Sequence, residues 1–201
     1  MTGVPLGKTQ PPSVETPLFK SLFSPEPDKY SVIYEVKRGD NLTKIARKFD
    51  KTAALIKKVN HLKDNALMPR MKLKIPTCKF SLVVDKSQNT MILKADEEVL
   101  KTYVVSTGKN NSTPLGVFKI TDRLVNPTWY KTGSTIASGS AENELGSRWL
   151  GITAKGYGIH GTIDPQSIGR QVTAGCVRMQ NDEVEELYDI VPSGTEVTIV
   201  D

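Results

Sequence analysis

The sequence is poor in the residues that build covalent frameworks and metal sites. It has two cysteines and two histidines among 201 residues, and two cysteines far apart in sequence do not make a disulfide framework. His61 and His160 are also far apart, and no paired-cysteine or His-x-x-Glu-like spacing occurs, so we expect no metal site. No glycine-rich phosphate loop is present either, so no nucleotide cofactor is indicated.

Long apolar runs are absent as well. No stretch of eighteen consecutive apolar residues occurs, so the sequence predicts no membrane span. Residues 1–6 do not lead into the apolar core of a signal peptide, and we expect any signal or anchor to be absent from this chain. Residues 1–30 lack a hydrophobic period and contain six prolines, which predicts an extended, Pro-rich lead or linker.

Residues 31–77 have the pattern of a small domain. Alternating apolar residues predict a strand around Tyr34, and Asp40 is a suitable N-cap for a following helix. Apolar residues at helical spacing then form one helix face from Leu42 to Phe49. Thr52 is expected to cap a second short helix, and a second strand precedes Pro76. The predicted order is strand, helix, helix, strand.

This stretch resembles a LysM domain. The resemblance is carried by Gly39-Asp40-x-Leu42, Asn60-x-Leu62 and Leu73-x-Ile75-Pro76. It implies a small α+β fold (βααβ) that binds N-acetylglucosamine-containing glycans of peptidoglycan. The implied glycan-binding residues are Gly39, Asp40, Asn41, Leu42, Asn60 and Leu62. The family usually has Pro-Gly before the last strand, whereas this chain has Pro69-Arg70, so we expect that turn to be reshaped.

Charge divides the chain into two parts. Residues 31–76 hold twelve Lys and Arg against four Asp and Glu, whereas residues 77–201 hold twelve against fifteen. A basic block can indicate nucleic acid, but no aromatic platform for bases accompanies it, so no nucleic-acid partner is expected. Two interpretations stay open: a solvated helix face, or attraction to an anionic cell wall that salt would weaken.

Residues 78–201 show closely spaced strands. Alternating apolar residues begin at Phe80, and further strands are predicted at residues 91–93, 99–105 and 116–125. A helix capped by Asn181 and a last strand at residues 197–200 complete the pattern. Strand following strand predicts a sandwich or barrel rather than alternating α/β units.

The chemistry is concentrated between residues 158 and 178. There Gly158-Ile159-His160-Gly161-Thr162 precedes Thr173-Ala174-Gly175-Cys176-Val177-Arg178. A thiol is a nucleophile as the thiolate, and an imidazole can remove its proton. Arg178 would favour the thiolate and hold a substrate carboxylate. The structural alternatives are a buried apolar Cys176 and an Arg178 that pairs with Asp182 or Glu183.

The pattern resembles the signature of the YkuD-type L,D-transpeptidase catalytic domain, which is His-Gly-Thr, a spacer, then Ser/Thr-x-Gly-Cys-x-Arg-Met. Further landmarks include Thr113-Pro114-Leu115-Gly116 and Arg148-Trp149-Leu150-Gly151. The resemblance implies a mainly β catalytic domain, a β-sandwich of mixed sheets with a C-terminal helix. It also implies a flap over the active site between residues 126 and 148.

The resemblance also implies roles for individual residues. Cys176 is the nucleophile, His160 the base, and the Gly161 carbonyl orients the imidazole. The oxyanion donors are expected among backbone N–H groups near Gly175 and Cys176. The implied substrate-binding residues are Arg178, Thr173, Gly175, Trp129 and Tyr157. For the aromatic residues, simple packing is the alternative.

The implied reaction is peptidoglycan cross-linking without a cofactor. A cysteine thioester formed with one stem peptide passes to the amine of another, giving a 3→3 cross-link, and the expected location is extracytoplasmic, in the periplasm or cell wall. Water as acceptor would make the enzyme an L,D-carboxypeptidase, and a D-amino acid or protein amine would make it a ligase. A non-catalytic wall-binding protein is the alternative of another class. An NlpC/P60-type peptidase is disfavoured, since its cysteine precedes its histidine. The sequence does not determine the oligomeric state.

Overall fold

The computed structural model describes residues 12–131 and 133–201. The first eleven residues of the predicted lead lie outside the described residues. Within the described part of the chain, no helix combines the length and apolarity required to cross a bilayer.

The LysM-like part has the predicted order of elements. Strand β2 (Ser31–Glu35) pairs antiparallel with β3 (Lys72–Pro76), and helices α2 (Leu42–Lys48) and α3 (Ala53–Val59) lie between them in the chain. The buried faces of both helices pack with β3 in a small core that includes Leu42, Ile45, Ile56, Leu73 and Ile75. The helical spacing of these apolar residues explains why a segment this short can bury a core.

Two local predictions for this part are wrong. The N-cap of α2 is Asn41, whose side-chain oxygen accepts the Lys44 N–H at 2.9 Å. Asp40 instead accepts the Lys37 N–H and the Tyr34 hydroxyl, both at 2.8 Å. The turn before β3 is not reshaped, because Arg70 itself adopts the left-handed conformation, with φ of +72°. Its N–H donates to the Val36 carbonyl at 2.8 Å, which holds this costly conformation in place.

The predicted catalytic domain, residues 78–201, is called the catalytic part below. It is built on a nine-stranded mixed sheet with the order β1-β6-β5-β4-β15-β8-β11-β12-β14. Two of its pairings, β15 with β4 and β12 with β14, are parallel, and the others are antiparallel. The strands of this sheet are β1 (Val14–Glu15), β4 (Phe80–Asp85), β5 (Thr90–Ala95), β6 (Glu98–Val104), β8 (Gly116–Val125), β11 (Arg148–Ile152), β12 (Gly158–His160), β14 (Val177–Arg178) and β15 (Glu196–Val200). The mainly β fold with mixed sheets is therefore confirmed.

Shorter elements complete this part. Two small two-stranded sheets pair β7 (Thr107–Gly108) with β13 (Gln171–Thr173) and β9 (Trp129–Lys131) with β10 (Ser134–Ile136). The C-terminal helix α4 (Asn181–Ile190) buries Val184, Leu187 and Ile190. Asn181 does not cap it: the N-cap position is Gln180, without a side-chain cap bond. The Asn181 side chain instead accepts hydrogen bonds from the Ser147 and Thr162 N–H groups.

The expectation of an extended lead is wrong for its second half. Strand β1 pairs with the sheet edge at β6, and helix α1 (Pro17–Leu22) follows Thr16, whose hydroxyl accepts the Phe19 N–H at 3.3 Å. Phe19 and Leu22 are buried in the core of the catalytic part. A six-residue helix offers too little sequence to show a period, and only the receiving core makes its two apolar residues significant.

The two parts of the chain are packed together. Leu55 and Val59 of α3 belong to the core of the catalytic part rather than to the LysM-like core. The Lys58 ammonium lies 2.6 Å from the Asp189 carboxylate of α4, and the Thr52 hydroxyl donates to the Asp189 carbonyl. The helix pair α3–α4 therefore joins the parts by both apolar and polar contacts.

Candidate active site

Parallel pairing of β12 with β14 brings the two halves of the predicted motif together. In this register His160 lies opposite Arg178, and Cys176 comes directly before β14. Cys176 is half-buried, and its Sγ lies 3.8 Å from the Gly156 carbonyl oxygen. Residues sixteen positions apart in sequence thus meet at one end of the sheet.

The imidazole of His160 is held in one orientation. Its Nδ1 lies 2.7 Å from the Gly161 carbonyl oxygen. A carbonyl can only accept, so Nδ1 carries the proton and Nε2 is left as the basic nitrogen. Burial lowers the pKa of His160 to about 4, and the charge of Arg178 acts in the same direction, whereas hydrogen bonds to the Gly161 and Glu144 backbones oppose it. The resting imidazole is therefore neutral.

The thiol of Cys176 is neutral in the resting state as well. Burial raises the pKa of Cys176, although a hydrogen bond from the Gly158 backbone and the charge of Arg178 both oppose this. A neutral thiol and a neutral imidazole suit proton transfer during attack better than a preformed ion pair. Cys78 is buried in the apolar core, which raises its thiol pKa to about 11.

Thr173 braces the turn that carries Cys176. Its hydroxyl donates to the Cys176 carbonyl at 2.7 Å and accepts the Gly175 N–H at 3.1 Å. The Gly175 N–H is therefore already engaged, in contrast to the expected oxyanion role. Gly175 itself is required by geometry, since its φ is +133° and a Cβ there would lie 2.6 Å from the Tyr157 ring.

Arg178 pairs with a residue that the sequence did not suggest. Its guanidinium donates to the Glu144 carboxylate at 2.7 Å and to the Ser167 hydroxyl at 3.2 Å. The predicted structural alternative, a pair with Asp182 or Glu183, is not formed. No periodicity links Glu144 to Arg178, so only the folded loop brings them together.

Two cavities meet at Trp129, which lies in the hairpin β9–β10. One of about 300 Å³ contains Cys176 and is walled by aromatic and apolar residues, among them Trp149 and Leu145. The other, of about 660 Å³, contains Arg178, Glu144 and Thr173. Trp129 lines both. Tyr157, expected to bind substrate, lines neither of these two cavities and packs against Gly175 and the core.

Asn181 is a further residue of the site that the sequence argument assigned differently. Its side-chain oxygen accepts the Thr162 N–H at 3.0 Å and the Ser147 N–H at 3.2 Å, and its nitrogen donates to the Thr162 carbonyl. A Cβ at Gly161 would lie 2.1 Å from this oxygen. The glycine after His160 is therefore needed for the close approach of Asn181, which holds the loop that orients the imidazole.

The residues expected to bind glycan are divided by the fold. Asn41 and Leu42 line a cavity of about 320 Å³ together with Ala53, Ala54 and Lys57. Asn60 is committed internally, because its amide bonds the Ile56 carbonyl and both backbone groups of Lys74.

The other three expected glycan-binding residues do not line this cavity. Gly39 is exposed in the turn before it. Asp40 is bonded as described above, and Leu62 packs on the LysM-like core. Two of the six expected residues, Asn41 and Leu42, therefore line this cavity.

Residues 79–199 match the profile of the L,D-transpeptidase catalytic domain of the YkuD type, which covers more than half of the chain. The chain belongs to the YkuD-type L,D-transpeptidase family. Residues 34–76 match the LysM domain. Both resemblances inferred from the motifs are thus confirmed.

Two Bacillus subtilis proteins assigned to the L,D-transpeptidases are similar to this family member. It is 36% identical to YkuD over 173 residues, which is 83% of this chain and 97% of that protein. It is 43% identical to YqjB over 126 residues, 60% of this chain and 70% of that protein.

Solved structures support the fold of this L,D-transpeptidase family member. An L,D-transpeptidase from Mycobacterium smegmatis superposes with a TM-score of 0.53 at 20% identity, over 65% of this chain and 63% of that one. The catalytic domain of the Enterococcus faecium L,D-transpeptidase superposes with a TM-score of 0.51 at 23% identity, over 61% and 97%. At these identities the likeness concerns the fold alone.

Proposed function

We propose that this protein is a peptidoglycan L,D-transpeptidase that forms 3→3 cross-links through a thioester on Cys176. The observation that carries the proposal is the His160–Gly161 hydrogen bond, which leaves Nε2 as the unprotonated, basic nitrogen, on the strand that pairs with the one directly after Cys176. Membership of the family supports the same reaction class.

In the first step Nε2 of His160 takes the proton of Cys176 while Sγ attacks an amide carbonyl carbon of the donor stem. The carbon–nitrogen bond breaks, and the leaving D-alanine amine receives the proton from the imidazolium. A thioester remains on Cys176. Because the Gly175 N–H is bonded to Thr173, we assign the oxyanion contact to the Cys176 N–H.

In the second step the amine of another stem attacks the thioester carbonyl carbon. Nε2 of His160 accepts the amine proton, the carbon–sulfur bond breaks, and the thiolate recovers the proton. Water in place of the amine would give an L,D-carboxypeptidase, and a D-amino acid or a protein amine would give a ligase. Trp129 at the junction of the two cavities is the proposed wall between donor and acceptor.

The LysM domain is the proposed anchor to peptidoglycan glycan strands, and the proposed location of the enzyme is outside the cytoplasm. Its cavity at Asn41 and Leu42 is the proposed sugar contact. Residues 31–76 hold twelve basic against four acidic side chains, so retention on insoluble peptidoglycan should weaken as salt rises. Retention that is absent at low salt would contradict this assignment.

Acylation by a carbapenem tests the catalytic proposal. Two structurally similar L,D-transpeptidases have been solved, one from Mycobacterium tuberculosis with a faropenem-derived adduct and another in complex with imipenem. We expect intact mass spectrometry to show one adduct on Cys176 and none in Cys176→Ala. Cys78→Ala is the matched control, since its thiol is buried and its pKa is raised to about 11.

Turnover of a tetrapeptide stem then separates the alternatives. A dimeric product identifies the transpeptidase, whereas tripeptide alone identifies the carboxypeptidase. A Cys176→Ala variant that still forms the adduct, or an adduct mapped to Cys78, would exclude Cys176 as the nucleophile. Absence of any adduct on a folded parent protein would favour a non-catalytic wall-binding protein.

A further inference from the structure

The two side chains of the Arg178–Glu144 ion pair differ in their exposure to solvent. The Arg178 side chain is 10% exposed, whereas that of Glu144 is 50% exposed. Arg178 also donates to Ser167, and its buried Nε has no hydrogen-bond partner among the described residues. The guanidinium is therefore fixed in place with donor capacity unused, while the carboxylate that faces it remains accessible to solvent.

The loop that carries Glu144 is anchored independently of this ion pair. Asn143 donates from its side chain to the Pro127 carbonyl at 2.8 Å and accepts the Leu145 N–H at 3.1 Å. Asn143 and Leu145 are both buried. The carboxylate of Glu144 can therefore leave Arg178 by side-chain rotation, without displacement of the loop.

The cavity around this pair is cationic. Lys109, Lys131 and Arg170 line it with Arg178, against the carboxylates of Glu144 and Asp164. Since Glu144 already neutralises Arg178, an anionic ligand gains the full attraction of that guanidinium only after it has displaced Glu144.

We propose that Glu144 is an internal competitor of the substrate, because its carboxylate occupies the position of the donor carboxylate on Arg178. A ligand with its own carboxylate replaces Glu144 and restores a charge-assisted pair. A neutral ligand offers no replacement for the carboxylate, so Glu144 stays paired with the buried guanidinium when that ligand binds. Glu144 therefore weakens the binding of acyl donors that carry a free carboxylate near the scissile bond, and leaves the binding of neutral donors unchanged. The donor assignment rests on the proposed function, whereas the exchange itself does not.

The exchange can be measured without turnover, by alkylation of Cys176 with iodoacetate and with neutral iodoacetamide. Both reagents form the same carbon–sulfur bond with loss of iodide, so the ratio of their rates reports attraction of the carboxylate alone. We expect Glu144→Gln to raise the iodoacetate-to-iodoacetamide ratio about two- to fivefold, the size of an exposed ion-pair contribution. Glu142→Gln is the matched control, since Glu142 is an exposed acid on the same loop.

The same variants are then compared with stem tetrapeptides. Two donors are used, one with a free carboxylate and one in which that carboxylate is amidated. Glu144→Gln should lower KM for the free donor by a similar factor, and should leave KM for the amidated donor unchanged. Glu142→Gln should change neither KM. A general loss of structure would instead change both donors together.

The outcomes separate the two proposals. An alkylation ratio that is unchanged or lower in Glu144→Gln, or one that rises equally in Glu142→Gln, overturns the role of Glu144 whatever the enzyme does. A raised ratio in a protein that turns over no stem supports the exchange and overturns the proposed function. A KM that falls equally for free and amidated donors overturns the competition between Glu144 and the donor carboxylate.

Discussion

Trp149 and His160 lie directly opposite each other across β11 and β12, and their rings stack with centroids 5.9 Å apart and planes 20° apart. Gly158 makes the contact possible, because a Cβ there would lie 2.7 Å from the indole. The indole covers one face of the imidazole, and His160 is 4% exposed. This cover contributes to the burial that lowers the pKa of His160 to about 4.

Removal of the Trp149 indole should therefore change the pKa of His160, the proposed base. We expect Trp149→Leu to raise the pKa of His160 toward its ordinary value, because water reaches the imidazole. Trp149→Phe keeps an aromatic face and should shift the pKa less. Titration of the His160 ring followed by NMR measures both shifts. An unchanged titration in Trp149→Leu would show that the remaining walls alone bury His160.

The same pKa predicts how stability depends on pH. The folded-state pKa of about 4 lies below the ordinary 6.5, so as pH falls from about 6.5 the unfolded chain binds a proton that the folded chain does not. Folding free energy should therefore be lost between about pH 6.5 and pH 4, by about 2–3 kcal/mol from this group. Urea denaturation at several pH values, for the parent and for His160→Gln, measures it. Equal pH slopes for the two proteins would contradict the prediction.

Thr173 should support both the fold and the reaction. Thr173→Val preserves the shape but leaves the Cys176 carbonyl and the Gly175 N–H without their hydroxyl partner. We expect a loss of about 1–3 kcal/mol in the free energy of unfolding and slower carbapenem acylation of Cys176. Thr173→Ser retains the hydroxyl and should remain close to the parent in both measurements. A valine variant with unchanged stability would mean that water replaces the hydroxyl.

Lys74 should be the main polar link between the N-terminal segment and the LysM domain. Its buried ammonium donates to the Ser21 and Ser24 carbonyls and to the Asp28 carboxylate, at 3.2, 2.9 and 2.9 Å. Lys74→Met should cost about 1–3 kcal/mol in chemical denaturation, because these acceptors lose their partner.

The exposed Lys72 of the same strand provides the control for this prediction. Lys72→Met removes the same charge and should be nearly neutral. Equal destabilisation by the two substitutions would contradict the assigned link.

The Asp28 carboxylate that accepts from Lys74 makes this link dependent on pH. Burial would raise the pKa of Asp28, but hydrogen bonds from Lys74 and its neighbours lower it. The stabilising contribution of Asp28 is therefore present above about pH 4 and lost below it.

Local patterns predicted the regular elements well. The strand over residues 116–125 has the predicted bounds, and the order of elements in the LysM domain is the predicted one. Thr52 caps α3 as expected, through the Leu55 N–H at 2.9 Å. These features depend on residues within a few positions of each other, so periodicity and capping preferences suffice to predict them.

Local patterns did not show which distant groups a side chain bonds. Asn60 was expected to contact glycan, yet its amide joins the end of α3 to Lys74. Asn181 was expected to cap a helix, yet it bonds Thr162 and Ser147. An amide side chain satisfies many roles equally well, and only the folded chain determines which groups come within hydrogen-bond distance.

By itself the sequence determined the family, the order of elements, and the histidine and cysteine on which the proposed chemistry rests, because motif spacing and periodicity are properties of the linear chain. Only the tertiary structure decided that Phe19 and Leu22 are buried in the core of the catalytic part. It also decided that Trp149 covers His160 and that the Glu144 carboxylate pairs with Arg178. The physical reason is that burial, which sets pKa values and the strength of charge pairs, arises from segments distant in sequence packing against one another.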